Sequence, residues 1–354
     1  MKLLIITQII DKKDSVLGFF HKWILSLSTQ FEHVEVICLK KGEYDFPPNV
    51  SVSSLGKPTQ GWPASGWERL FFKLKALVNF YKYIWQKRNE YDAVFVHMNQ
   101  EYIILGGLIW AILGKKVFMW RNHYSGSFLT DIAMAFCNKI FCTSKFSYTA
   151  HNKKTVLMPV GIDIDSCKMN VSIERIPRSV LFLGRLDESK RPHLLIEALG
   201  IIANQGIKFN ATFVGGPSKT DSGYPIRLEK QVEELGIRDK VKFVGAVPNT
   251  ETFRYYRSQD VFVNCSKSGM FDKTIFKSVA CGCLTIATSR DFGDLVGDEF
   301  IFADNDSKAL AEKLKRFLTV SSQERAHLIE ILASCIKNHS LEALVVKLKE
   351  EIDI

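Results

Sequence analysis

Short runs of β-branched and apolar residues recur along the first half of the chain, each followed by a stretch of helical period. They are Leu3 to Ile6, Val34 to Leu39, Ala93 to Val96, Val117 to Trp120, Ile140 to Thr143 and Thr155 to Met158. The second half repeats the pattern with Val180 to Leu183, Asn210 to Val214, Val241 to Val244, Val261 to Asn264 and Leu284 to Ala287. Helices are expected there near Pro192 to Ala203, Arg227 to Leu235 and Lys273 to Ala280. Unbroken apolar strands separated by helical periods indicate parallel sheets covered on both faces. Two doubly wound α/β domains follow, each expected to take ligands at the carboxyl ends of its strands. The periodicity lapses from Pro159 through Asp165 to Pro177, which places the boundary in that region. After Asp304-Asn305-Asp306 the chain reads as helical, with Leu341, Leu344, Val345 and Leu348 on one stripe.

Composition narrows the class. With 354 residues, 46% hydrophobic and 24% charged, the chain is too apolar for disorder, and 22 Gly with 10 Pro rule out collagen-like order. The formal net charge of +9 is unevenly placed. Residues 1–170 hold 21 Lys/Arg and 13 Asp/Glu (net +8), whereas 171–354 hold 26 and 25 (net +1). The basic half suits a polyanion, be it nucleic acid, an anionic bilayer or a phosphorylated substrate. The 8 Cys sit mostly in apolar runs such as Val36-Ile37-Cys38-Leu39, and Cys281-Gly-Cys283 is too tight for a usual metal or redox motif. They read as core hydrophobes in a reducing, cytosolic compartment. Leu3 to Ile6 runs into a polar loop without a signal-peptide cleavage site, and the apolar stretch Tyr102 to Leu113 is shorter than the ~20 residues of a spanning helix.

Two strand-to-helix turns carry candidate chemistry. In the first, Gly184 ends a strand, Pro192 suits the first position of a helix, and Arg185 and Lys190 flank an N-terminus whose dipole and N–H groups favour an anion. The turn fits a diphosphate clamp, and it equally fits a solvated basic turn with Arg185 paired to Asp187 or Glu188. In the second, Ser266 to Lys273 join a strand to a helix that Asp272 could cap, with Lys273 and Lys277 one turn apart. Those lysines also suit plain solvated surface. Between Trp67 and Arg88, apolar residues at 70, 74, 77, 81 and 84 form a helical stripe among six cations and several aromatics. This segment fits an interfacial helix on an anionic membrane or a helix packed on its own sheet. Nucleic acid is not expected, because no nucleic-acid module accompanies the charge.

The ordered set Gly184-Arg185-Leu-Asp-x-x-Lys190, Gly215-Gly216, Phe243-Val-Gly245-Ala-Val247-Pro248 and the helix ending Ala280-Cys-Gly282 resembles the nucleotide domain of family 4 glycosyltransferases of the GT-B fold. Pro159-Val-Gly161-Ile-Asp163 is similar to the segment before their interdomain linker. Val96-His97-Met98-Asn99 and Trp120-Arg-Asn122-His123 resemble strand ends of their acceptor domain. The resemblance implies two Rossmann-like domains facing an interdomain cleft. They would be an acceptor domain at 1–168 and a nucleotide-sugar domain at 169–336, with a C-terminal helix at 337–354 returning toward the first. It implies that Arg185 and Lys190 bind the donor diphosphate, that Gly18 lets backbone approach the phosphates, and that amides around Phe271 and Asp272 face phosphate or sugar. Gly184, Gly215, Val247, Gly269, Lys273 and Lys277 would line the donor site, and His123 would contact the transferred sugar.

The chain departs from the family at its paired glutamates. Gly269 stands at the first and Lys277 at the second, where a carboxylate would accept bonds from ribose hydroxyls and an ammonium can only donate. Ser268-Gly269-Met270-Phe271-Asp272-Lys273 is similar to a subgroup lacking the first glutamate. The activity implied is retaining transfer of a sugar from a nucleotide sugar to a lipid-linked or glycan acceptor at the cytosolic membrane face, with no cofactor and no metal. Asp163-Ile-Asp165 imitates a metal-binding pair but falls at the linker, and Gly216-Pro-Ser-Lys219-Thr220 lacks the spacing of a P-loop. The alternative is a weak or inactive homologue that binds nucleotide sugar or glycan within an assembly. An epimerase or hydrolase reading lacks an acid/base carboxylate pair.

Overall fold

The computed structural model describes residues 1–14, 16–58, 65–168, 173–218, 221–269 and 272–353. The chain forms two compact units, Met1–Met158 with Leu344–Ile354, and Pro159–Ala343. In unit 1 the order is β1 (Lys2–Ile10), α1 (Phe19–Ser28), β2 (His33–Lys41), β3 (Val50–Ser54), α2 (Gly66–Gln86), β4 (Ala93–His97), α3 (Gln100–Ile112), β5 (Lys116–Trp120), α4 (Phe128–Phe136), β6 (Lys139–Cys142) and β7 (Thr155–Leu157). These strands make one parallel sheet in the order β3-β2-β1-β4-β5-β6-β7. Leu3, Leu4, Ile5 and Ile6 are fully buried because β1 is central and has helices on both faces. The strand β3 escapes the apolar pattern: Val50-Ser-Val-Ser-Ser alternates, which suits a partly exposed edge strand.

Unit 2 holds α5 (Asp165–Lys168), β8 (Ile176–Leu183), α6 (Pro192–Asn204), β9 (Asn210–Val214), α7 (Tyr224–Glu234), β10 (Val241–Gly245), α8 (Thr252–Ser258), β11 (Gln259–Asn264), α9 (Lys273–Ala280), β12 (Leu284–Ala287), α10 (Arg290–Val296), α11 (Ser307–Thr319) and α12 (Ser322–Ser334). Its sheet runs β10-β9-β8-β11-β12, all parallel. The last helix, α13 (Leu341–Asp353), begins in unit 2 and ends in unit 1. There Lys139 reaches Glu351 at 2.6 Å and Lys347 Nζ donates to the Leu157 carbonyl at 2.7 Å.

The units divide after 158, ahead of the expected 168, because the intervening residues pack with unit 2. Val160 and Ile162 are buried in its core. The N–H groups of Gly161 and Ile162 both donate to the His339 carbonyl at 3.0 Å, and Val160 N–H donates to His339 Nδ1 at 3.2 Å. Burial lowers the His339 pKa to about 4, so the ring is neutral and able to accept that bond. Asp163 accepts from Ser166 N–H and Oγ at the start of α5, a local turn role.

Candidate functional site

In an open parallel sheet the crevice for ligands lies where the strand order reverses. In unit 2 that point falls between β8 and β11, and the two turns marked by the sequence follow those two strands. The first turn is organised by Asp187, which sequence reasoning left in a minor role. Its Oδ1 accepts from Ser189 N–H at 3.0 Å, Ser189 Oγ at 2.6 Å and Lys190 N–H at 3.2 Å, while Oδ2 lies 3.3 Å from Arg185 Nη1. The pairing of Arg185 with Asp187 is therefore present, yet the guanidinium stays half exposed at the turn. Arg191 takes a left-handed backbone (φ 49°) ahead of Pro192, the first residue of α6. Its side chain is buried, bound to the Cys265 carbonyl at 2.7 Å, to Asn305 at 2.8 Å and to Asp304. This residue ties the turn to the end of β11.

Lys190 crosses to the second turn. Its Nζ lies 2.8 and 2.6 Å from the two oxygens of Asp272 and 3.3 Å from Ser266 Oγ. Asp272 also accepts from Ser266 Oγ at 2.6 Å and Asn264 Nδ2 at 3.1 Å. With its oxygens so engaged, Asp272 does not cap α9 with its side chain, contrary to the expectation from sequence. Burial alone would raise its pKa, but the Lys190 charge and the hydrogen bonds from Lys190, Ser266 and Asn264 hold it below the usual carboxylate value.

The remaining candidates separate into backbone and side-chain roles. A Cβ on Gly215 would collide with the Gly184 carbonyl oxygen, so close packing of the ends of β8 and β9 demands glycine there. A Cβ on Gly184 would meet only the Phe182 ring, at 3.8 Å, so packing does not demand its bareness. Gly269 has φ 93°. Val247 is half-buried against the core of unit 2. Lys273 points away from Lys190: its Nζ donates to the carbonyls of Val160 at 2.5 Å and Gly161 at 3.0 Å, and burial, then the neighbouring Lys277 charge, lower its pKa well below the ordinary lysine value. Lys277 is buried, with Nζ 2.8 Å from Asn249 Oδ1 and 5.2 Å from the Phe253 ring centroid. Neither lysine is solvated surface. Phe271, Lys219 and Thr220 lie outside the described residues.

Unit 1 has its own reversal between β1 and β4. Gly18 closes the loop after β1, where a Cβ would collide with the Asp14 carbonyl, and its N–H donates to that oxygen at 3.1 Å. His97 ends β4, stacked on Phe20 with ring centroids 4.0 Å apart. Met98 follows with φ 70°, an uncommon conformation for a side chain of this size. His123 follows β5. Its Nδ1 lies 3.0 Å from Ser125 N and 2.8 Å from Ser125 Oγ. The ring stacks on Tyr124 at 4.5 Å.

Residues 171–332 match the family described as glycosyl transferases group 1. The match falls within the second unit. The chain is 28% identical over 154 residues to D-inositol 3-phosphate glycosyltransferase of Geodermatophilus obscurus, an alignment covering 40% of this chain and 34% of that protein. It is 33% identical over 112 residues to mannosylfructose-phosphate synthase of Agrobacterium fabrum, covering 31% and 25%. The chain thus matches only about a third of the length of such relatives. Over whole chains the fold is that of GT-B glycosyltransferases. HepE of Anabaena in complex with UDP superimposes with a TM-score of 0.77 at 17% identity, over 100% of both chains. WaaG, a glycosyltransferase involved in lipopolysaccharide biosynthesis, gives 0.69 at 14%, over 99% of each. The two turns joined by Lys190 and Asp272 lie within the residues matched by that family.

Proposed function

We propose that the protein is a retaining, hexosyl-type glycosyltransferase. It takes a sugar from a nucleotide sugar to a lipid-linked or glycan acceptor at the cytosolic membrane face, in cell-surface polysaccharide or glycolipid synthesis. The observation that carries the donor half is the ion pair between Lys190 and Asp272 at the strand reversal of a glycosyltransferase domain. A diphosphate entering there exchanges places with the Asp272 carboxylate around Lys190, joins the exposed Arg185, and meets the N-termini of α6 and α9. Those cations and dipoles then neutralise the departing nucleoside diphosphate, without a metal or cofactor in this account. His123 contacts the transferred sugar, and positioning of the acceptor hydroxyl does the rest. UDP and UDP-glucose in the HepE complexes support a uridine donor.

Calorimetry with UDP, GDP and their sugars tests the reading. Binding of one nucleotide, lost in Lys190→Met, is the expected result; no binding to any of them overturns it. The buried Lys277, already engaged by Asn249, favours a second reading as a weak or inactive binder of nucleotide sugar or glycan. Donor binding without release of sugar to any acceptor, restored to turnover by Lys277→Glu, would select it.

A further inference from the structure

Helix α2 has two apolar faces. Ala76, Phe80 and Ile84, spaced by four, are buried in the core of unit 1, where Phe80 packs on Tyr102 and Trp110 of α3. Opposite them, Trp67, Phe71, Leu74, Val78, Tyr81 and Trp85 recur at alternating spacings of four and three and form a second stripe, which is exposed; Trp67 is 85% and Val78 64% accessible. The stripe read from sequence, 70, 74, 77, 81 and 84, mixed the two faces: Leu70, Leu74 and Tyr81 look outward and Ile84 inward.

The exposed stripe does not end at α2. Tyr81 Oη donates to the Leu105 carbonyl of α3 at 3.3 Å, and α3 presents Leu105, Leu108 and Ile112 outward, Ile112 76% accessible. Two adjacent helices therefore present one apolar surface, beyond the isolated hydrophobics that a soluble surface normally carries. From Trp67 to Trp85 it runs about 27 Å at 1.5 Å per residue. Lys75 and Lys82, both exposed, flank the stripe on the side away from α3, and Glu68 is the lone carboxylate within α2.

We propose that the joined outer face of α2 and α3 docks onto an anionic bilayer, with the apolar stripe entering the interfacial layer and Lys75 and Lys82 meeting lipid phosphates. It deepens the membrane-face function proposed above and rests on that reading for its purpose, although its surface belongs to unit 1 alone. Three features select a bilayer: tryptophans toward both ends of the stripe, a lysine flank, and the excess of 21 cations over 13 acidic residues in 1–170. A second copy across a two-fold axis would bring the same basic flank to both sides of the contact, where like charges repel. Among the described residues no helix is long and apolar enough to cross a membrane, so the contact is with the surface.

The test is co-sedimentation of the full chain with phosphatidylcholine vesicles, with and without phosphatidylglycerol, with UDP binding measured by calorimetry on the same samples. The protein should pellet with anionic vesicles and lose at least ~10-fold in partitioning in Phe71→Ser/Val78→Ser, at low and high salt alike. Lys75→Glu/Lys82→Glu should lose binding to anionic vesicles chiefly at low salt. UDP affinity should be unchanged in both variants, which also shows that they fold. Equal pelleting of wild type with neutral and anionic vesicles, or no pelleting, overturns the proposal. So does a concentration-dependent dimer that Phe71→Ser/Val78→Ser abolishes. Vesicle binding without UDP binding removes the donor reading and leaves this surface; the reverse removes the surface and leaves the donor site.

Discussion

Lys190 of unit 2 lies 2.6 Å from the Asp272 carboxylate, whereas Lys82 of unit 1 stands exposed on the outside of α2, near side chains as apolar as Val78. The contrast extends to their neighbours. In unit 2, Arg191 is held by Asp304 and Asn305, Lys273 by two carbonyls and Lys277 by Asn249. In unit 1, Lys75 and Lys82 of α2 flank an exposed apolar stripe. Charge counts alone therefore mislead in both directions. In residues 171–354 cations and carboxylates are nearly equal in number and some are folded onto each other, so under the proposed function a phosphate ligand would enter by exchange. The excess in residues 1–170 includes charge left at the surface, available without exchange and open to screening by salt.

The largest effect that would break this comparison is expected at Lys190. Lys190→Met should weaken binding of UDP by about two orders of magnitude, since hydrogen bonds to charged groups contribute ~1.5–3 kcal/mol and Asp272 would stay behind uncompensated. Unchanged affinity by calorimetry would mean that the pair is purely structural. Asp272→Asn sharpens the point: with the competing charge removed, UDP should bind at least as tightly while the urea midpoint falls.

Next in size is a pH effect at the strap between Pro159–Ile162 and His339. Folding lowers the His339 pKa to about 4, so its contribution to stability is fully present above the unfolded value near 6.5 and is lost as pH falls toward 4. The loss should reach ~3 kcal/mol at most, and His339→Gln should flatten that part of the stability profile measured in urea. Lys273→Met should cost ~1–3 kcal/mol by leaving the carbonyls of Val160 and Gly161 without their donor, with a smaller change in UDP affinity than at Lys190. The smallest effect is expected from Lys82→Gln, within about 0.5 kcal/mol of wild-type stability. A large change there would show that the outer side of α2 is held within the fold after all.

Much of the architecture was legible. Buried parallel strands require unbroken apolar runs, and the expected strands of both halves appear in the structure; β3 was missed because its serines interrupt the run at an edge. The turns at 184–191 and 265–272 were legible as places, since strand, glycine and helix start leave a recognisable order. Their internal wiring was not. Nothing in the spacing showed that Asp187 would collect three donors, or that Asp272 would serve Lys190 instead of capping α9. Lys273 and Lys277 share a helix and a spacing that suits solvent, yet both are engaged inside the unit.

By itself the sequence determined the alternation of strand and helix, the existence of two sheets and the positions of the two strand-to-helix turns, because these follow from periods of two and 3.6 residues and from local glycine and proline chemistry. Only the tertiary structure decided which partner each charge meets and which face of α2 is left outside. Lys190 and Asp272 are 82 residues apart, and no local rule pairs them. A helix with apolar residues on two faces can bury either one, and the packing of α2 against α3 and the sheet made that choice.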